Sequence, residues 1–109
     1  NLCFGHAGVA ALDFQYVGGG PGIVDVAYLL SCKSPRWRAR NTERSLAAYF
    51  AELRPRLPAG VDAGALEAEW RELYDVAWAD FARFLAGWGR VSLRVPEPDR
   101  VRAAIARLG

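Results

Sequence analysis

The spacing of apolar positions changes period once along the chain. Near the start, LCF (2–4) and VAALDFQ (9–15) are short apolar runs flanking GHAG, a glycine-bounded turn. That layout predicts a β-hairpin. GGGPG (Gly18 to Gly22) then interrupts regular structure, and the period becomes helical. IVDVAYLLSC fits a short buried helix with Asp25 in its first turn, and Ser34-Pro35 marks a further turn or helix start. From Thr42, Leu46, Tyr49, Phe50 and Leu53 give the i, i+3, i+4, i+7 stripe of an amphipathic helix, which Pro55 and Pro58 stop. Asp62 is placed to cap the longest helical stretch, roughly Ala63 to Gly87, whose stripe runs through Leu66, Trp70, Leu73, Tyr74, Ala77, Phe81, Phe84 and Leu85 to Trp88. A polar loop around Gly89 to Pro96 leads to a last helix near Pro98 to Leu108. No internal repeat or low-complexity tract is present. The expected fold class is α+β, mainly α: residues 1–22 form a hairpin and Gly-rich loop, and residues 23–109 a subdomain of four or five helices.

Composition narrows the function classes. With 109 residues, 52% hydrophobic and 24% charged, the chain matches one globular unit with a modest core. No run nears the roughly 18 apolar residues of a membrane span, and the N-terminus lacks a signal-peptide layout. The expectation is a cytoplasmic protein with no membrane partner. Cys3 and Cys32 have neither metal-ligand nor redox spacing and read as reduced thiols. A net charge of +2 does not call for nucleic acid. KSPRWRAR (Lys33, Arg36, Arg38 and Arg40 around Trp37) is the one basic cluster containing an aromatic residue. Acidic residues follow it and no binding motif accompanies it, so it reads as a solvated face and no nucleic-acid partner is expected. The chain contains no Met, and a piece of a longer protein is expected.

One pair of polar residues carries candidate chemistry. If Phe4 faces Val9 across the turn, antiparallel pairing brings Asn1 beside Leu12 and Asp13 at the open end of the hairpin. A carboxylate and an amide carbonyl there suit Mg²⁺, a hard cation usually completed by waters and substrate phosphates. The duller alternative is a terminal amide and a turn-capping Asp.

Other features read more blandly. GGGPG lacks the Lys-Ser/Thr of a P-loop and the last glycine of G-x-G-x-x-G, where Ile23 stands, so it is a connector. His6 has no triad partner and reads as solvated. Asp80 shares a helix line with Leu73, Ala77 and Phe84; it is a possible contact for a substrate amine or hydroxyl, against the simpler ion pair with Arg83. Tyr74 and Trp78, with Trp70, Glu67 and Asp75, have the ingredients of a cation-binding cage or substrate pocket, but equally the spacing of a helical core.

NLCF, LDFQYVGGGPG and DVAYLL resemble the middle of the aminoglycoside phosphotransferase and choline kinase superfamily, and ADFARFLAGW (79–88) is similar to a helix of its ecdysteroid kinase-like branch. The closer resemblance covers about residues 1 to 30 and 79 to 88. It implies a protein-kinase-like C-terminal lobe, an ATP-dependent enzyme that phosphorylates a small-molecule hydroxyl, and Mg²⁺ and ATP as cofactors. Asn1 and Asp13 would then be the metal- and nucleotide-binding residues, with Asp25 supporting the catalytic loop. Gln15, standing where protein kinases have Gly, favours a small-molecule kinase. By the same resemblance the catalytic Asp belongs five residues before Asn1, so no catalytic residue lies within this chain. The missing N-terminal lobe of the same protein would be its partner, and the fragment alone would be inactive. The competing class is a non-catalytic helical binding domain or a pseudokinase remnant. An apolar surface around Leu2, Phe4 and Phe14 is expected where the missing segment would pack.

Overall fold

Two glycines close the first element. The computed structural model describes residues 2–14, 17–87 and 98–109. Strands β1 (Leu2–Gly5) and β2 (Gly8–Ala11) pair antiparallel, with Leu2 opposite Ala11, Phe4 opposite Val9 and Gly5 opposite Gly8. Gly8 has φ 131°, a conformation that L side chains rarely adopt, so the tight His6-Ala7 turn requires a glycine there. The register is the one expected from Phe4 facing Val9. β2 stops at Ala11, short of the expected Gln15, and the backbone reaches the left-handed region at Asp13 (φ 64°), a geometry that cannot continue a ladder. Gln15 itself lies outside the described residues.

Every residue of both strands is exposed. Paired positions point to the same side of a ribbon, so Leu2, Phe4, Val9 and Ala11 share one face. Phe4 is 77% and Phe14 66% exposed. The hairpin therefore has no part in the core, and the apolar residues expected at the surface are there.

The core belongs to the helices. α1 (Ile23–Ser31) buries Ile23, Ala27 and Leu30, one stripe at i, i+4, i+7. α2 (Pro35–Leu53) begins well before the apolar stripe that predicted it. Ser34 Oγ accepts a hydrogen bond from the Trp37 amide at 3.2 Å and Pro35 occupies the first turn, a strong start signal for a segment with few apolar residues. α2 inserts Leu46 and Phe50 into the core and ends at Leu53, where a 3-10 turn, Arg54–Arg56, carries Pro55. α3 (Ala63–Gly87) starts where Asp62 predicted: Asp62 Oδ1 accepts from the amides of Gly64 (2.9 Å) and Ala65 (3.0 Å). α4 (Pro98–Leu108) packs along α3. The expected polar loop from Gly89 to Pro96 and the last stripe position, Trp88, lie outside the described residues.

Ile23, Ala27, Leu30, Leu46, Phe50, Tyr74, Ala77 and Trp78 form one cluster drawn from α1, α2 and α3. Trp78 is its largest fully buried side chain and has two guanidinium groups over its ring, Arg38 at 4.8 Å and Arg100 at 5.6 Å from the centroid. Arg38, 4% exposed, donates to the carbonyls of Ser31 (3.3 Å) and Lys33, satisfying the end of α1 while anchoring the start of α2. Arg100 bonds Asp75 Oδ1 at 2.5 Å and joins α4 to α3. Among the described residues, no helix is long and apolar enough to cross a membrane.

Candidate functional site

Asp13 follows the last paired residue of β2 by two positions and sits at the open end of the hairpin. It is the one non-glycine residue with positive φ among those described. Asp tolerates the left-handed region better than most residues, yet the conformation still costs on the order of 1 kcal/mol. Its carboxylate is exposed and makes no hydrogen bond or ion pair among the described residues. Asn1, its expected companion, lies outside the described residues.

No group of three or more His, Cys, Asp or Glu side chains able to hold a metal occurs among the described residues. A hard cation at Asp13 would draw most of its oxygen ligands from water and phosphate. That is the habit of Mg²⁺, which keeps several waters and uses one or two carboxylates plus substrate oxygens, so the donor chemistry of Asp13 fits it.

Past the Gly-rich stretch, the chain enters α1 at Gly22, whose backbone (φ −62°, ψ −13°) is helical and has no side-chain cap. Space rather than conformation restricts this position. A Cβ on Gly22 would lie 3.3 Å from Trp70 Cζ3 and would collide with the Tyr49 hydroxyl oxygen. Tyr49 and Trp70 stack with centroids 6.4 Å apart and form a wall against which the chain turns from the connector into the helical core. Asp25, exposed in the first turn of α1, lies where the positive end of the helix dipole favours a carboxylate. Burial, and secondarily the negative charge of Asp25, raise the Tyr49 phenol above its usual pKa of 10.0. Burial raises Tyr28 likewise, followed by the charge of Asp80.

The other expected positions separate in space. Asp80 is exposed, and its Oδ1 accepts from Arg83 Nη2 (2.7 Å) and Nε (3.0 Å), the simpler of its two anticipated roles. It lines a cavity of about 440 Å³ between α3 and α4 with Val76, Arg83, Val101, Ile105 and Leu108. Tyr74 and Trp78 are 2% and 1% exposed, with Arg100 over both rings, and stand in the core. Trp70 is taken up by Tyr49, and Glu67 by Arg54 (2.6 Å) and Arg71 (2.9 Å), whose hydrogen bonds hold its carboxyl below the usual range. His6 is exposed in the turn. Cys3 and Cys32 are exposed and unbridged.

Two features escaped the sequence. The KSPRWRAR pattern has Arg38 as one cation among several, whereas α2 turns that side chain inward onto Trp78; its place on the inward helix line with Leu46 is the only available hint. The left-handed backbone at Asp13 leaves no pattern in composition or periodicity. Comparison with protein-family models, with curated proteins and with solved structures gave no match for this chain.

Proposed function

We propose that this chain is part of the C-terminal lobe of an ATP-dependent kinase that transfers the γ-phosphoryl group to the hydroxyl of a small molecule. The observation that carries this reading is Asp13: an exposed carboxylate without a partner among the described residues, held in a left-handed conformation at the open end of a hairpin with the Phe4–Val9 register. Backbone strain retained at an exposed polar residue is a mark of a functional position. The resemblance of LDFQYVGGGPG to small-molecule kinases gives that position its role.

Asp13 would hold Mg²⁺ against the nucleotide phosphates, together with Asn1. The ion, when bound, offsets charge developing on the β and γ phosphoryl oxygens. The register of the hairpin places the carboxylate at its open end, and the glycines that follow let the chain leave the phosphate side without a side chain in the way. Asp25, at the N-terminus of α1, supports the loop that precedes the hairpin. The proton of the acceptor hydroxyl is assigned to an Asp five residues before Asn1 in the parent protein.

The exposed apolar face of Leu2, Phe4 and Val9 is where the missing segment would pack, and it fits equally a second reading, a non-catalytic interaction domain or pseudokinase remnant that offers the face to a partner. Titration of the full-length parent with Mg-ATP separates the two. A kinase binds it and turns over, and Asp13→Ala abolishes turnover in a protein that still folds, its stability lowered by no more than the ~1 kcal/mol that Ala loses in the left-handed region. Wild-type turnover in that variant would refute the role of Asp13, and absence of nucleotide binding by the parent would favour the interaction domain.

A further inference from the structure

Helix α2 is charged against its own dipole. Cations are favoured in the last turn of a helix and anions in the first. In α2 the first turn contains no acidic residue and includes Arg36, and the last turn has no basic residue and includes Glu52. Arg36, Arg40 and Arg44 recur every fourth residue, which sets their Cβ atoms roughly 5–6 Å apart along one exposed line. Like charges at that spacing destabilise a helix by a few tenths of a kcal/mol per pair.

Among the described residues, no carboxylate offsets this repulsion. Among the described residues, Lys33, Arg36, Arg40 and Arg44 have no carboxylate partner, and all four are exposed. The expectation of a neutralised, solvated face rested on the acidic residues that follow the cluster. The nearest of them, Glu43, is engaged elsewhere: its Oε1 accepts from Arg71 Nη1 of α3 at 2.8 Å. Glu52 is likewise paired with Arg56. The positive line is therefore left open, at the end of the helix whose backbone amides already carry positive potential.

The surroundings of the line define its partner. A protein interface centres on buried aromatic or aliphatic anchors, and a membrane-surface helix sets large apolar side chains beside its cations. The large exposed apolar residues described in this chain include none between Leu29 and Val61. Among the non-basic neighbours on α2, exposed Ala39, Ala47 and Ala48 are small, exposed Glu43 is held by Arg71, and Trp37 is half-buried against the core with Lys33 Nζ 5.8 Å from its ring centroid. A phosphodiester backbone is bound by charge alone, and the forked guanidinium is the side chain best shaped for phosphate oxygens.

We propose that Lys33, Arg36, Arg40 and Arg44 form a contact surface for the phosphate backbone of nucleic acid, without base recognition. The surface is independent of the kinase reading, since it lies on a different element from Asp13 and needs no nucleotide chemistry. It is tested by fluorescence anisotropy of this chain with a labelled mixed-sequence DNA duplex across a range of NaCl concentrations. Four neutralised phosphates give a slope of log Kobs against log[salt] of about −3.6. The triple variant R36Q/R40Q/R44Q should lower the magnitude of that slope by about 2.7, and Arg40→Gln alone by about 0.9. The control triple R56Q/R83Q/R102Q removes the same amount of charge from exposed arginines paired within the chain, and should keep most of the slope. Relieving repulsion along α2 does not unfold it, so melting temperatures of the stripe variants should match or exceed the wild type.

Three results would overturn the proposal: no duplex binding at low salt, equal weakening by the two triple variants, or binding to phosphatidylserine vesicles or an acidic peptide with none to the duplex. The first excludes nucleic acid, the second reduces the effect to net charge, and the third assigns the stripe to another anion.

Discussion

Replacing Gly22 by Ala adds one methyl group where the connector meets α1, and two effects of opposite sign decide the outcome. The Gly22 backbone, at φ −62° and ψ −13°, suits alanine without strain. Reduced freedom of the unfolded chain alone would then stabilise the variant by about 0.4–1 kcal/mol. Against this, the new Cβ would overlap the Tyr49 hydroxyl oxygen and crowd Trp70 Cζ3 at 3.3 Å. Tyr49 cannot swing away freely, because its ring stacks on Trp70 and meets Phe50 edge-on with centroids 5.2 Å apart. Overpacking of this kind costs about 1–3 kcal/mol, so a net destabilisation of roughly 0.5–2 kcal/mol is expected. Urea unfolding followed by tryptophan fluorescence measures it as a lower midpoint at constant m value. Removing the obstructing oxygen in Tyr49→Phe should restore about 1 kcal/mol in the double-mutant cycle. A Gly22→Ala variant as stable as the wild type, or more so, would refute the idea that space rather than flexibility requires this glycine.

Trp78→Ala should destabilise the chain by about 3–5 kcal/mol, read by the same urea titration, because it empties the centre of the core and strips the buried Arg38 guanidinium of its ring. Asp75 holds Arg100 at 2.5 Å and Arg107 at 3.5 Å. Asp75→Asn should therefore lower amide-exchange protection of α4 selectively, by about tenfold or more for a lost charged hydrogen bond; a uniform loss across all helices would contradict that role. Glu67 has its pKa lowered in the folded state by hydrogen bonds from Arg54 and Arg71, so it stabilises above its usual value of 4.5, and that contribution is lost as pH falls below it. Glu67→Gln should lower the urea midpoint at neutral pH, with the difference from wild type shrinking as the pH approaches 3; an undiminished difference at pH 3 would contradict the assignment.

Much of the fold is visible where pattern and local chemistry agree. The hairpin register follows from two glycines spaced for a two-residue turn, and α3 from a long apolar stripe with an Asp cap. The beginning of α2 is hidden because its first turns project arginines to solvent and send only Arg38 inward, a residue whose type argues for the surface. Ser34 and Pro35 carry the start signal there, and capping chemistry outweighs apolar periodicity. The apolar run 9–15 predicts a strand through Asp13 to Gln15. A ribbon exposed on both faces gains little from apolar residues, and β2 ends at Ala11. Of the proposed site, spacing conveys that Asp13 lies at the open end of the hairpin, but a left-handed backbone leaves no trace in residue type beyond the tolerance of Asp for it. Tyr74 and Trp78 illustrate the reverse: helical spacing of aromatics fits a cage and a core equally, and only their burial beneath Arg100 distinguishes the two.

The most direct test of the kinase reading is phosphotransfer by the full-length parent with Mg-ATP and a panel of hydroxylated small molecules, in the wild type and in Asp13→Ala. The prediction is Mg²⁺-dependent product formation in the wild type and its loss in the variant, which remains folded. Product formed at the wild-type rate without the Asp13 carboxylate would contradict it.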